Sequence, residues 1–270
     1  MTSPSTTPAR LHFIADAPVK GLAVAERRVQ DPRACVIFVH GALDRGGSFA
    51  RLVRRLDSFD AVTYDRRGYQ GSRDLGPADF DVHVDDLSTL VAREAGRQPV
   101  ILFGHSFGGL VTFAAVVRIP SKVQLVVNFE SPLPWILRRA SSRPPLTDDA
   151  RHEAERFFRR VVSPKAWDRL SEHQRESRRL DGPALLRDLA TVQRSEEPFD
   201  IAALHVPATY AHGDGVLADY YRALSVELSR VNPSIETLEI DHANHDAHLK
   251  NAEQLAAVVR QRWDQVCASG

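Results

Sequence analysis

At 270 residues the chain is long enough to bury a sizeable core in one domain and still carry an insertion. A hydrophobic fraction of 43% and a charged fraction of 26% are those of a globular protein in water, and 35 basic side chains balance 35 acidic ones. The balance argues against a nucleic-acid or anionic-membrane partner, two cysteines are too few for a disulfide framework, and no run reaches the ~20 apolar residues of a membrane span.

Met1 to Arg10 is rich in Ser, Thr and Pro and has no apolar stretch, so it reads as a frayed start to a cytoplasmic protein. Leu11–Ile14 and Gly21–Arg28 then resemble an edge hairpin. Short Val/Ile/Leu-rich runs follow at Cys35–Val39, Ala61–Tyr64, Val100–Phe103, Val123–Phe129, Pro207–Ala211 and Ile235–Ile240, and most are too short for helices. Helical patterns fill the gaps at Phe49–Leu56, Val82–Ala95, Phe107–Arg118, Ala218–Val231 and Ala252–Val266. Strand and helix alternate, which predicts an α/β architecture: a mostly parallel eight-stranded sheet with helices on both faces.

The alternation breaks between Pro132 and Phe199. After a Ser/Pro-rich loop at Ser141 to Pro145, three Arg/Glu-rich helical segments open near Thr147-Asp148-Asp149, Ser163-Pro164 and Asp181-Gly182-Pro183, where a capping side chain or a first-turn proline is available. This is the expected helical lid, residues 132–199, set into a core of 1–131 and 200–270. Its apolar residues, Phe157, Phe158, Val161, Trp167, Leu170, Leu185, Leu186 and Leu189, are expected to pack. Its arginines (Arg138, Arg139, Arg143, Arg151, Arg156, Arg159, Arg160, Arg178 and Arg179) are interspersed with Glu and Asp, so a solvated helix face is expected rather than an anion site.

The strongest chemical signal is Gly104-His105-Ser106-Phe107-Gly108, which follows an apolar strand and opens an apolar helix. In a turn this tight the positions two before and two after the serine have little room for a Cβ, and Gly104 and Gly108 occupy them. Ser106 is thereby pushed out at the carboxyl end of the sheet, where open α/β folds bind ligands. Upstream, Val36 to Val39 runs into His40-Gly41-Ala42, which places the N–H of Ala42 as a second oxyanion donor beside that of Phe107. The plain alternative is a strand-to-loop turn in which Gly41 serves only to adopt positive φ.

A base is expected after the last strand, in Asp241-His242-Ala243-Asn244-His245-Asp246-Ala247-His248. His245 has the right reach; His242 lies too close to the strand, and His248 packs near the start of the next helix. The same dense run contains metal-ligand residue types, but its spacing does not converge on one ion and a serine nucleophile needs none. Two carboxylates qualify to orient the histidine: Asp214, in Gly213-Asp214-Gly215, and Glu130, in Phe129-Glu130-Ser131-Pro132. Either also has a structural role open to it, Asp214 as a turn cap and Glu130 as the partner of Arg45 or Arg66.

At these motifs the chain resembles the α/β-hydrolase superfamily over nearly all of its length outside the lid. Asp65-Arg66-Arg67-Gly68-Tyr69-Gln70-Gly71-Ser72 is similar to that family's Asp-x-Arg-Gly-x-Gly-x-Ser loop. In most members the acid stands three residues after the glycine ending the penultimate strand, a position held here by Val216, with Asp214 two residues out of register. Some relatives carry a glutamate after the preceding strand instead, so the resemblance favours Glu130, with Asp214 as the alternative. A serine in place of an aspartate nucleophile argues against dehalogenase and epoxide-hydrolase chemistry. The expectation is hydrolysis of a small, apolar ester or thioester through Ser106, His245 and Glu130, with no metal and no cofactor. The rival readings are a ligand-binding or signalling member with slow turnover and, behind it, cofactor-independent oxygenase or haloperoxidase chemistry.

Overall fold

A computed structural model describes residues 10–138, 147–194 and 196–269; the expected loop from Ser141 to Pro145 lies outside them, as do Arg139 and Arg143. One sheet contains β1 (His12–Phe13), β2 (Val24–Arg27), β3 (Cys35–Val39), β4 (Asp60–Tyr64), β5 (Val100–His105), β6 (Leu125–Phe129), β7 (Ala208–Gly213) and β8 (Ile235–Ile240). Their spatial order is β1-β2-β4-β3-β5-β6-β7-β8. β2 runs antiparallel to β1 and β4, and every other pairing is parallel. Every residue of β3, β4, β5, β6 and β7 is buried, as a parallel sheet covered on both faces requires.

Successive side chains of a strand point to opposite faces, and this splits the core in two. Cys35, Ile37 and Val39 pack with Leu102, Phe113, Leu87 and Leu224 on one face. Val36 and Phe38 pack with Phe49, Phe103, Leu255 and Trp263 on the other. The helices that supply these layers are α1 (Ala50–Arg55), α2 (Phe80–Ala95), α3 (Phe107–Arg118), α8 (Ala218–Val231), α9 (Ala247–Lys250) and α10 (Ala252–Ser269). Each fully buried Val, Leu or Phe contributes roughly 1.5–3 kcal/mol, so these two layers hold the frame on which the loops are set. Among the described residues, no helix is long and apolar enough to cross a membrane.

Between β6 and β7 the described residues form four α-helices rather than three: α4 (Ala150–Val161), α5 (Pro164–Asp168), α6 (Glu172–Leu180) and α7 (Gly182–Gln193). The additional boundary is Ser171, whose hydroxyl accepts the Gln174 N–H while the Gln174 side chain accepts the Ser171 N–H. That Ser-x-x-Gln capping box was present in the sequence and marks the start of α6. The inserted helices have their own apolar core of Ala154, Phe158, Trp167, Leu185 and Leu189, and it closes on Leu43 of the loop after β3.

Candidate active site

The parallel register decides which loops meet. His105 pairs with Phe129 and Phe129 with Ala211, so the residues just beyond β5, β6 and β7 stand side by side at the carboxyl edge. Two backbone bonds extend the ladder past the strands, Ser106 N–H to Phe129 O at 2.9 Å and Glu130 N–H to Ala211 O at 2.9 Å. Backbone strain collects at this edge. Leu43 (φ 55°), Ser106 (φ 52°), Glu130 (φ 49°) and His242 (φ 58°) all take positive φ without being glycine, each just beyond the end of a strand. Such conformations cost ~1–3 kcal/mol each and persist where the surroundings over-determine them.

Ser106 turns directly from β5 into α3, with φ 52° and ψ −125°. A Cβ on Gly104 would lie 2.3 Å from Asn128 Oδ1, and one on Gly108 would lie 2.1 Å from Val39 O. Asn128, which sequence reasoning passed over, braces the turn: its Nδ2 donates to Gly109 O at 3.0 Å and its Oδ1 accepts from the Thr112 hydroxyl at 2.7 Å. Its only sequence signal was a polar residue inside an apolar strand.

Glu130 is buried, and its carboxylate is divided between two partners. Oε2 lies 2.7 Å from His245 Nδ1, and Oε1 accepts the Gly213 N–H at 3.1 Å. Neither Arg45 nor Arg66 pairs with it. Asp214 is engaged elsewhere: the backbone N–H of His242, its own and that of Ala243 hold its carboxyl below the usual range, and His242 Nδ1 is 4.0 Å away. It caps the turn after β8. The structure therefore brings Glu130, not Asp214, to His245.

Of the expected N–H donors, Phe107 directly follows Ser106 and Ala42 directly follows Gly41, which lies against Ser106. Phe107 is the first residue of α3, so its N–H has no carbonyl four residues back to bind within the helix. Gly41 does not take positive φ; its missing side chain matters because a Cβ there would stand 2.9 Å from Ser106 Cβ. The loop is held from behind by Arg66, fully buried, which donates to His40 O and Gly41 O at 3.1 Å each. Arg66 also forms a forked pair with Asp188 of α7 and lies over the Phe107 ring at 4.7 Å. The Tyr69 hydroxyl adds a second bond to Asp188 at 2.6 Å. His40 accepts the Arg66 backbone N–H on Nε2, which leaves its proton on Nδ1, facing Gly41 O. Burial and the Arg66 charge lower its pKa to about 3, so it stays neutral.

A family model described as "Alpha/beta hydrolase family" matches residues 36–258. The chain belongs to the alpha/beta hydrolase family. Among curated relatives of this family member, a monoacylglycerol lipase of Mycolicibacterium smegmatis is 31% identical over 104 residues, which is 36% of this chain and 37% of that protein. The match thus spans about a third of the relative's length. A (lyso)-N-acylphosphatidylethanolamine lipase of Homo sapiens is 23% identical across 88% of this chain and 81% of its own. The solved structure of an alpha/beta hydrolase from Sphaerobacter thermophilus superposes with a TM-score of 0.67 at 20% identity, covering 93% of this chain and 100% of that one.

Behind the candidate base lies a second polar cluster that the sequence did not announce. His105 Nε2 is 2.8 Å from the carbonyl of His245, which can only accept, so Nε2 carries the proton. Burial and the neighbouring His248 and His245 keep His105 well below the ordinary histidine pKa. The His248 ring lies tilted against the His105 ring, centroids 4.2 Å apart, and has Nε2 3.3 Å from Asp44 Oδ2. Burial opposes ionisation of Asp44, but the nearby His248, with His40 and His105, outweighs it and holds the carboxyl below its usual range. Asp44, His105 and His248, with ligand atoms within 4.8 Å of one another, are the His/carboxylate group found among the described residues; the run from Asp241 to Asp246 does not converge.

Proposed function

We propose that this hydrolase cleaves a carboxylic ester by acyl transfer to water, with Ser106 as nucleophile, His245 as general base and Glu130 as the acid that orients it. The observation carrying this reading is the 2.7 Å bond from Glu130 to His245 Nδ1, one strand away from the strained turn that presents Ser106. With Nδ1–H held by the carboxylate, Nε2 has a free lone pair to take the Ser106 hydroxyl proton as Oγ attacks the ester carbonyl. The tetrahedral oxyanion is received by the N–H groups of Ala42 and Phe107. His245 then returns the proton to the departing alkoxide, leaving an acyl-Ser106 ester that a His245-activated water hydrolyses.

The names of the lipase relatives fit this chemistry. We further read the inserted helices α4 to α7 as a lid, because their apolar core closes on Leu43 in the same loop as Ala42. The test is labelling by a fluorophosphonate together with hydrolysis of short and medium p-nitrophenyl esters. Labelling and turnover in wild type, both lost in Ser106→Ala, are expected. Absence of both in wild type would replace the esterase reading with ligand binding.

A further inference from the structure

Three side chains beside the proposed catalytic groups take no part in the acyl transfer, and they come from three separate loops. Asp44 lies two residues beyond Ala42, His105 ends β5 directly before Ser106, and His248 sits in α9, three residues after His245. Each offers one ligand atom, and the three atoms lie within 4.8 Å of one another. Both imidazoles are only 4% exposed, and Asp44 is half-buried.

The nitrogens of this cluster lack partners. His105 gives its Nε2–H to the His245 carbonyl, so Nδ1 carries a lone pair, and that atom is buried with no hydrogen bond. It lies 3.4 Å from where a Cβ on Gly41 would stand, so it faces the loop after β3 that carries Asp44. Both nitrogens of His248 are likewise buried without a hydrogen bond; Nε2 stands 3.3 Å from Asp44 Oδ2 but is not aligned to donate to it. Buried polar atoms are ordinarily satisfied, so three orphaned nitrogens around one carboxylate call for a partner that the chain does not supply.

The surroundings are those of a ligand set. Metal-bound histidines pass their other N–H to a backbone carbonyl, as His105 does to His245, and ligating carboxylates are themselves hydrogen-bonded, as Asp44 Oδ2 is by the Ser48 hydroxyl at 3.0 Å. The Phe49 ring lies 5.4 Å from that of His248 and the Phe129 ring 6.2 Å from that of His105, which adds an apolar shell. Metal–ligand bonds of ~2.0–2.2 Å in a tetrahedron set donor atoms ~3.3–3.6 Å apart. Asp44 Oδ2 and His248 Nε2 already stand at that spacing. The wider separations close by ~1–1.5 Å of side-chain movement.

We propose that Asp44, His105 and His248 form a binding site for one divalent transition-metal ion of the zinc class, which ties together the loop after β3, the Ser106 turn and the loop of His245. Two imidazole nitrogens and one carboxylate oxygen suit such a borderline ion, whereas Mg2+ and Ca2+ take sets of oxygens. The role is structural, with water in the remaining position, and the half-buried Asp44 gives the ion its way in. His248 thus finds its partners on two other loops and not among its neighbours in the run from Asp241 to Asp246. The inference stands apart from the esterase reading, because metal binding is measured without any ester.

The experiment strips metal with EDTA, exchanges the chelator out, and titrates the whole chain with Zn2+ by calorimetry while melting is followed alongside. Wild type is expected to bind one ion per chain with a Kd in the micromolar range or below, to melt several degrees higher with Zn2+, and to show neither effect with Mg2+. Asp44→Asn and His248→Gln each weaken binding about tenfold or more and lose the rise in melting temperature. His242→Gln, whose ring is exposed, keeps both. Should either of the first two variants fail to fold, X-ray absorption of the zinc-loaded wild type decides, with two imidazoles and one carboxylate expected around the ion. No one-to-one binding to wild type overturns the inference, and so does a zinc shell with fewer than two imidazoles. Binding that folded Asp44→Asn and His248→Gln both retain, or that His242→Gln loses, shows an adventitious ion only and overturns it as well.

Discussion

Arg66 and Asp188, 122 residues apart in sequence, form a forked ion pair at 3.0 and 2.5 Å with both side chains buried. The pair joins the loop after β4 to helix α7, and the same guanidinium holds the carbonyls of His40 and Gly41. Removing one partner leaves a buried charge uncompensated, which costs ~3–5 kcal/mol. Asp188→Asn is therefore expected to lose stability on that scale in urea unfolding at neutral pH. Its kcat on p-nitrophenyl esters is expected to fall as well, because Ala42 follows the two carbonyls that Arg66 anchors. The double variant Arg66→Met/Asp188→Leu should regain stability over the single variant but not its activity. Unchanged unfolding in Asp188→Asn would show that the pair does not tie the two parts together.

The contrast between Glu130 and Asp214 gives the second expectation. A carboxamide at position 130 can hold the imidazole in the wrong tautomer, and in serine proteases the corresponding change costs ~10⁴-fold in kcat. Glu130→Gln should lose activity on that scale while Asp214→Asn stays within a few-fold, since Asp214 only caps the turn after β8. Steady-state kinetics on one p-nitrophenyl ester is sufficient; collapse in Asp214→Asn with Glu130→Gln intact would reverse the assignment.

Much of this arrangement could be read before any coordinates, for a physical reason. Cys35–Val39 falls where the sequence placed it and Val100–Phe103 falls two residues short, because buried parallel strands must be apolar throughout, while the half-exposed edge strand Ile235–Ile240 is marked by its apolar ends. Ser106 and His245 were legible because tight turns and loop reach are local properties. The partner of His245 was not, since Glu130 and Asp214 both follow strands and only the β5-β6-β7 register with the positive φ of Glu130 aims one of them. Asp188 was illegible for a different reason. Helix periodicity shows which residues share a face but not which distant loop that face meets, so one carboxylate among many carried no local mark.

Gly41 offers a test of close approach as distinct from backbone freedom. Its φ is not positive, so alanine is not strained there, but the new Cβ would stand 2.9 Å from Ser106 Cβ and 3.3 Å from His105 O. The loop must shift by a few tenths of an ångström, which moves Ala42 relative to the nucleophile. Loss of one oxyanion donor costs ~10²–10³ in kcat, and Gly41→Ala should approach that loss with a nearly native melting temperature. Full activity with normal folding would mean that the Ala42 N–H is not an oxyanion donor.

Acid should weaken the fold from a higher pH than carboxylate titration alone would set. His40, His83 and His105 are buried, and burial first, then neighbouring positive charge, lowers their pKa values. The unfolded chain binds protons on all three below its value of about 6.5, while the folded chain does not, so the unfolded state binds more protons and stability falls with pH. Each histidine adds a slope of ~1.4 kcal/mol per pH unit once the pH is below that value. Asp65 and Asp181, whose carboxyls burial raises, work in the opposite sense, over the pH range between their raised folded values and the ordinary 3.8. Three histidines outnumber these two carboxyls, and urea unfolding at several pH values between 6.5 and 5 should show stability dropping steadily. His83→Gln, at a position packed edge-on to Phe107 and outside the proposed catalytic groups, should reduce the slope by about the share of one histidine. A flat profile across the window, or an unchanged slope in His83→Gln, would show that these imidazoles take up protons in the folded state.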